Sequence, residues 1–284
     1  MKNYTALIID LKRSRSYSVE DRNSIQHYII EVIKNLNQVF SKTLAKEVEF
    51  SAGDEIQGLF LSPETAYLYF RMLCMLISPV EIRAGIGIGE WNVKIDNAST
   101  TAQDGPAYHN ARYAIENVKD SLGYSALLYS GKEVDLFLND IINTSYALTS
   151  KHSEYQNELM LLSELLYPID YHQSIDITKI NLILRLVKSK NQLNYYTYYK
   201  KSKTVKKYPF EAIEFLNLTP LPIDAANEEH LFYVSSGKKR GMSTKLSELL
   251  NISRQSIEKT FKTANVYEVR NSTIVALKLM EKHF

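Results

Sequence analysis

Val80 to Gly89 reads VEIRAGIGIG, and no other stretch limits the fold as tightly. Its β-branched residues alternate with glycine, which predicts a strand, and the missing side chains at Gly85, Gly87 and Gly89 let another group approach closely. A dinucleotide fingerprint is excluded, because there the glycines would open a helix.

Around this strand the apolar periodicity alternates between two lengths. Thr5 to Ile9 (TALII) predicts a buried strand ending at Asp10. From about Arg22 to Leu44, Ile25, Ile29, Val32, Ile33, Leu36, Val39 and Phe40 recur at three and four residues and predict an amphipathic helix. Val48 to Phe60 (VEFSAGDEIQGLF) reads as two short strands meeting at a Gly53-Asp54 tip. Ser62-Pro63-Glu64 opens a second helix, with Ser62 as cap, running to about Ile77. Gly105-Pro106 opens a third, closed by Gly123; SALLYS is a further strand and SGKEVDLFLNDII a helix. The order is β-α-β-β-α-β-α-β-α. Its first six elements predict an α+β fold of the split βαβ, or ferredoxin-like, kind with helices on one face. In that arrangement the end of the first strand meets the hairpin tip, so Asp10 and Asp54 become neighbours.

Charge divides the chain. Up to Leu184 there are 16 Lys and Arg against 23 Asp and Glu; from Arg185 onward there are 18 against 9. An acidic front and a basic back predict two modules with different partners: a sheet domain over 1–149 and a mainly helical domain over 150–284, the latter with an insertion around 191–240. No segment reads as a signal peptide or membrane span, so no membrane partner is expected. The single cysteine, Cys74, excludes a disulfide framework and a cysteine-based zinc site, and fits a reducing, cytoplasmic setting.

Two carboxylates converging from separate strand ends suit Mg²⁺ (or Mn²⁺), which takes a few hard oxygen ligands and leaves positions for phosphate and water. IID, AGDE, IRAGIGIG and GPAYHNAR occur in the order and at the approximate spacings of class III nucleotidyl cyclases and related palm domains. More closely, ALIID, GDEIQGL, IRAGIGIGE and DGPAYHNAR together resemble the SatD family, which looks like a cyclase-type palm followed by a helix-turn-helix. The resemblance covers about Tyr4 to Asn143. It implies Asp10 and Asp54 as metal ligands, with Glu55 in reach from the tip and a main-chain carbonyl at Ile9 or Leu11 assisting. It further implies Gly53, Arg83 and Arg112 as nucleotide-binding residues, and Arg112 with Asn110 as catalytic ones. Two positions depart from the cyclases. Tyr108 stands where they carry an asparagine four residues before the helix arginine, and Glu49 where their hairpin begins with a purine-reading lysine. His109 is a further candidate base or phosphate donor.

TKLSELLNISRQSIEKTFK has the spacing of a helix-turn-helix, within 243–284. Leu246, Leu249 and Leu250 line the first helix, Asn251 takes the left-handed turn position and Ile252 packs beneath. Ser253 caps the second helix, whose inner face is Ile257 and Phe261. Its outer face carries Arg254, Gln255, Ser256, Lys259 and Lys262, residue types that meet base edges and phosphates, so DNA is the expected partner. Lys238, Lys239 and Arg240, with Lys200, Lys201, Lys203, Lys206 and Lys207, add positive charge, and Tyr195, Tyr196, Tyr198, Tyr199 and Tyr208 form an edge strand or packed insertion, or stack on single-stranded bases.

Three functions fit this reading. One is a regulator that couples a Mg²⁺-nucleotide palm to a DNA-binding helix-turn-helix. Another is a Mg²⁺-dependent nucleotidyl cyclase or nucleotidyltransferase, for which a homodimer is expected. The third is a palm kept as a scaffold.

Overall fold

The computed structural model describes residues 2–51, 53–190, 219–228 and 232–284. The tyrosines and lysines between 195 and 208 lie outside the described residues.

Strand β1 (Tyr4–Leu11) is the middle of a five-stranded sheet with β2 (Leu44–Phe50), β3 (Glu55–Phe60), β4 (Ile82–Gly89) and β5 (Ala126–Tyr129), in the order β2-β3-β1-β4-β5. Pairing is antiparallel except between β4 and β5. The connecting helices are α1 (Val19–Val39), α2 (Pro63–Ile77) and α3 (Pro106–Asp120), and α4 (Val134–Thr149) follows β5. The order of elements is the expected one.

Helix α1 begins and ends earlier than its apolar pattern predicts. Ser18 Oγ accepts from the Asp21 amide at 3.0 Å and so starts the helix at Val19, while the Phe40 amide closes the last turn on the Leu36 carbonyl. Leu44 then joins β2, opposite Phe60. Ser62 makes no cap bond to a backbone amide of α2, which starts on Pro63 alone.

Helices α1 and α2, the two among the first six elements, share one face of the sheet as expected, and α3, the seventh element, does not join them. Leu7, Ile9, Leu11, Ile56 and Phe60 pack with α1 and α2, but Ala6, Ile8 and Leu59 form a separate cluster with Ala107, Tyr108, Ala111 and Ile115 of α3. Helix α3 therefore covers the opposite face, and the glycines of β4 are the reason. A Cβ on Gly87 would lie 2.0 Å from the Ala111 nitrogen and 2.3 Å from the Ala107 carbonyl oxygen; one on Gly85 would lie 2.1 Å from the Ala111 carbonyl oxygen. The group that approaches the glycine strand is the backbone of α3.

Beyond α4 come α5 (Glu154–Leu166), α6 (Ile180–Lys190) and a small parallel pair, β6 (Ile169–Asp170) with β7 (Ile223–Asp224). Three helices end the chain: α7 (Met242–Leu250), α8 (Arg254–Thr263) and α9 (Val266–His283). Ser153 and Gln156 form a reciprocal capping box on α5. Asn251 ends α7 at φ 50°, Ser253 Oγ accepts from the Ser256 amide, and Ile257 and Phe261 are fully buried, all as the spacing predicts.

One apolar cluster runs from Leu7 and Ile9 through α2, α4 and α5 to Leu277 and Met280, unbroken across the division at 149/150. A buried ion cluster crosses the same junction. Glu164 Oε1 accepts from Arg71 at 2.6 Å and from Arg270 at 2.5 Å, joining α2, α5 and α9. Arg270 also donates to the carbonyls of Gly237 and Tyr167, each at 2.7 Å. Among the described residues no helix is long and apolar enough to cross a membrane.

Candidate functional site

The antiparallel register places Asp10 opposite Glu55 on one side and Arg83 on the other. Directly paired residues share a face, so these three continue the row of Ala6 and Ile8 beyond the apolar cluster beneath α3. Asp54 sits one position outside β3, in the turn whose left-handed residue is Gly53 at φ 64°. An open glycine suits that position, and a Cβ there would meet nothing within 4 Å. The Gly53 carbonyl accepts from Gln26 Nε2 at 3.2 Å, which ties the tip to α1.

Each acid has a distinct set of neighbours. Asp10 lies 3.7 Å from the Arg83 guanidinium. Burial pushes its carboxyl up, and the charge of Asp54 pushes it further in the same direction, against weaker pulls from Lys119 and Arg83. Asp54 accepts from Ser14 Oγ. Glu55 is held at two points by Arg112, with Nη2 2.8 Å from Oε1 and Nη1 on Oε2, and takes a third bond from Ser51 Oγ at 3.0 Å. The Arg112 bonds hold the Glu55 carboxyl below the usual range despite partial burial.

Glu55, expected in reach of the site from the tip, stands directly opposite Asp10 in the sheet register, and Asp54 approaches from the turn. Arg112, expected on phosphate, grips a carboxylate in that posture. Asn110 is not brought to this end: its Nδ2 donates to the Ile88 carbonyl at 2.7 Å, five residues along β4 from Arg83, or about 16 Å. His109 is exposed and pairs with Asp104 at 2.8 Å. Glu49 accepts from the Thr100 amide at 2.8 Å and fastens the loop before α3.

Ser14, Ser51 and Lys119 escaped the sequence reading. Lys119 follows Arg112 by seven residues, two helical turns, and that spacing on one face is the signal that could have found it. Ser14 lies in a polar loop with no periodic pattern, and Ser51 in the turn.

The donor set is compatible with Mg²⁺. Among the described residues no three of His, Cys, Asp and Glu converge on a point. Two hard carboxylates are nonetheless a sufficient protein contribution for an ion that keeps water and phosphate in its other positions. A divalent cation would also offset the burial and the Asp54 charge that together raise the Asp10 carboxyl.

At the far end of the chain, Arg254, Gln255, Lys259 and Lys262 are all exposed on α8, while Ser256 is half-buried.

Fold and site together define a mixed α+β protein whose central strand ends in a cluster of facing acidic and basic side chains. The chain belongs to the SatD family, which it matches over residues 4–208. No curated protein sequence matches it. Among solved structures it is similar to one titled "Structure of a bacterial light-regulated adenylyl cyclase", at 12% identity and a TM-score of 0.33, covering 44% of this chain and 74% of that one.

Proposed function

We propose that this protein is a regulator in which a ferredoxin-like, palm-type sheet domain binds a nucleotide together with Mg²⁺ or Mn²⁺, and a helix-turn-helix formed by α7 and α8 binds DNA. The observation that carries the reading is the register that sets Asp10 opposite Glu55, with Asp54 one residue earlier in the turn, so that burial and then the Asp54 charge raise the Asp10 carboxyl at a cost a divalent ion would offset. Asp10 and Asp54 would hold the ion, which supplies positive charge to a triphosphate. Arg83 and Lys119 lie beside the acids to meet phosphate oxygens, and Arg112 can join them by leaving Glu55. The closed Arg112–Glu55 pair favours a binding role over turnover, since the phosphate-side arginine is already engaged.

The test is the melting temperature of the full chain with Mg²⁺ and each of the four nucleoside triphosphates. A rise with at least one, absent in Asp54→Ala, is expected. Absence of a rise with all four overturns the nucleotide half of the proposal. Asp54-dependent release of pyrophosphate would move the protein to the nucleotidyl cyclases or nucleotidyltransferases.

A further inference from the structure

A second site lies on the α2 face of the sheet, opposite the face that carries Asp10 and Arg83, and its argument is independent of the function proposed above. Between α2, the segment leading into β4, α4, α5 and α9 is a cavity of about 220 Å³, which at about 30 Å³ per molecule has room for roughly seven waters. Phe70, Met75, Ile142, Met160 and Val269 give it an apolar wall. Its polar lining includes Arg71, Ser145 and His152, and each has bonding capacity left over.

Arg71 is the one cation of the buried Arg71–Glu164–Arg270 cluster that reaches this cavity. Two guanidiniums share one carboxylate there, so the cluster carries an excess positive charge. Arg270 spends its donors on Glu164, Gly237 and Tyr167, whereas Arg71 makes, among the described residues, a single side-chain bond, to Glu164, although its side chain is only 10% exposed. A guanidinium has five N–H donors, so those not spent on Glu164 stay available to a ligand. Ser145 Oγ is buried without a hydrogen-bond partner among the described residues. His152 places Nε2 2.7 Å from the Ala264 carbonyl, which fixes Nε2 as the donor and leaves Nδ1 a buried acceptor without a partner. Burial also lowers the His152 pKa, consistent with a neutral ring. Glu81, the lining's other charged side chain, is exposed at the edge, and the thiol of Cys74 is kept neutral by burial.

We propose that this cavity binds a small monocarboxylate with a branched apolar body: the carboxylate on Arg71 and Ser145 Oγ, the apolar body against Phe70, Ile142 and the two methionines, with His152 Nδ1 open to a ligand hydroxyl or amino donor. One guanidinium in a half-apolar lining matches a single negative charge and an apolar body. The cavity draws walls from α2 and α4 as well as from α9, the helix following α8, so an occupant would brace the sheet against the C-terminal helices.

The six methionines offer a site-specific readout, because Met75 and Met160 line the cavity. The full chain, labelled with ¹³C at its methionine methyls, is titrated with 4-methylpentanoate and separately with its neutral amide. Saturable shifts of the Met75 and Met160 resonances by the acid are expected, with the amide about tenfold weaker for loss of the charge-assisted bond. Arg71→Met should abolish the preference for the acid. Ser145→Leu, which fills the cavity and leaves the ion cluster intact, should abolish both responses and decides the matter if Arg71→Met does not fold. No shift at millimolar acid, equal affinity for acid and amide, or an acid preference retained in Arg71→Met overturns the proposal.

Discussion

Arg112 on α3 holds Glu55 on β3 by two parallel bonds, and this pair fastens the helix on one face of the sheet to the strand that faces Asp10. Because Arg112 depresses the Glu55 pKa, the pair's contribution to stability is full above the unfolded-state carboxyl value and disappears as pH falls through the folded one. Glu55→Gln should therefore cost about 0.5–1 kcal/mol near neutrality, a figure kept small because the Arg112 side chain is 43% exposed. Melting curves of both proteins should converge under acid conditions. A constant gap across the range would mean that the carboxylate charge is not what the pair contributes.

Asp10 has the opposite sign. Its raised carboxyl pKa means that ionisation is resisted in the folded protein, so its contribution favours folding at low pH and is lost as pH rises through the folded value. Asp10→Asn should consequently melt at a higher temperature than the parent at neutral pH, with the difference shrinking in acid. A lower melting temperature at pH 7 would show that the carboxylate is held by compensating bonds rather than strained by burial and the Asp54 charge.

Gly87→Ala tests the contact between β4 and α3. The added methyl would meet helix backbone at 2.0 Å and 2.3 Å, which no side-chain rotation can relieve, so a loss of about 3 kcal/mol or more is expected in urea denaturation. Gly53→Ala, with open space but φ 64°, should lose only about 1–2 kcal/mol. Equal losses at the two positions would refute the close approach.

The ion cluster predicts an order of severity. Glu164→Gln leaves two buried guanidiniums without a countercharge and should cost about 3–5 kcal/mol. Arg71→Met preserves the Glu164–Arg270 pair and should cost clearly less by chemical denaturation. The reverse order would mean that the packing of Arg71, not charge balance, stabilises the junction.

The DNA-binding role proposed for α8 predicts that Arg254→Ala and Lys259→Ala each weaken DNA binding and reduce the salt dependence by about one phosphate contact, measured by fluorescence anisotropy at several salt concentrations. Both substitutions are on exposed positions and should leave the melting temperature unchanged. Unaltered affinity in both variants would remove α8 from any DNA interface.

The sequence by itself determined the succession of strands and helices, because apolar spacing and turn residues act over a few positions. It also determined the turn at Asn251, the Ser253 cap and the buried Ile257 and Phe261. Helix ends were less legible where two patterns overlapped, as at Leu44, which continues the apolar run of α1 yet belongs to β2. Tertiary structure alone decided that α3 crosses to the other face of the sheet, that Glu55 stands opposite Asp10, and that Arg112 closes on Glu55. Face, register and salt-bridge partner depend on which distant segments meet in space. The glycines of β4 announced a close neighbour, but an absent side chain carries no information about whether that neighbour is a ligand or a helix; only the packed chain supplies it.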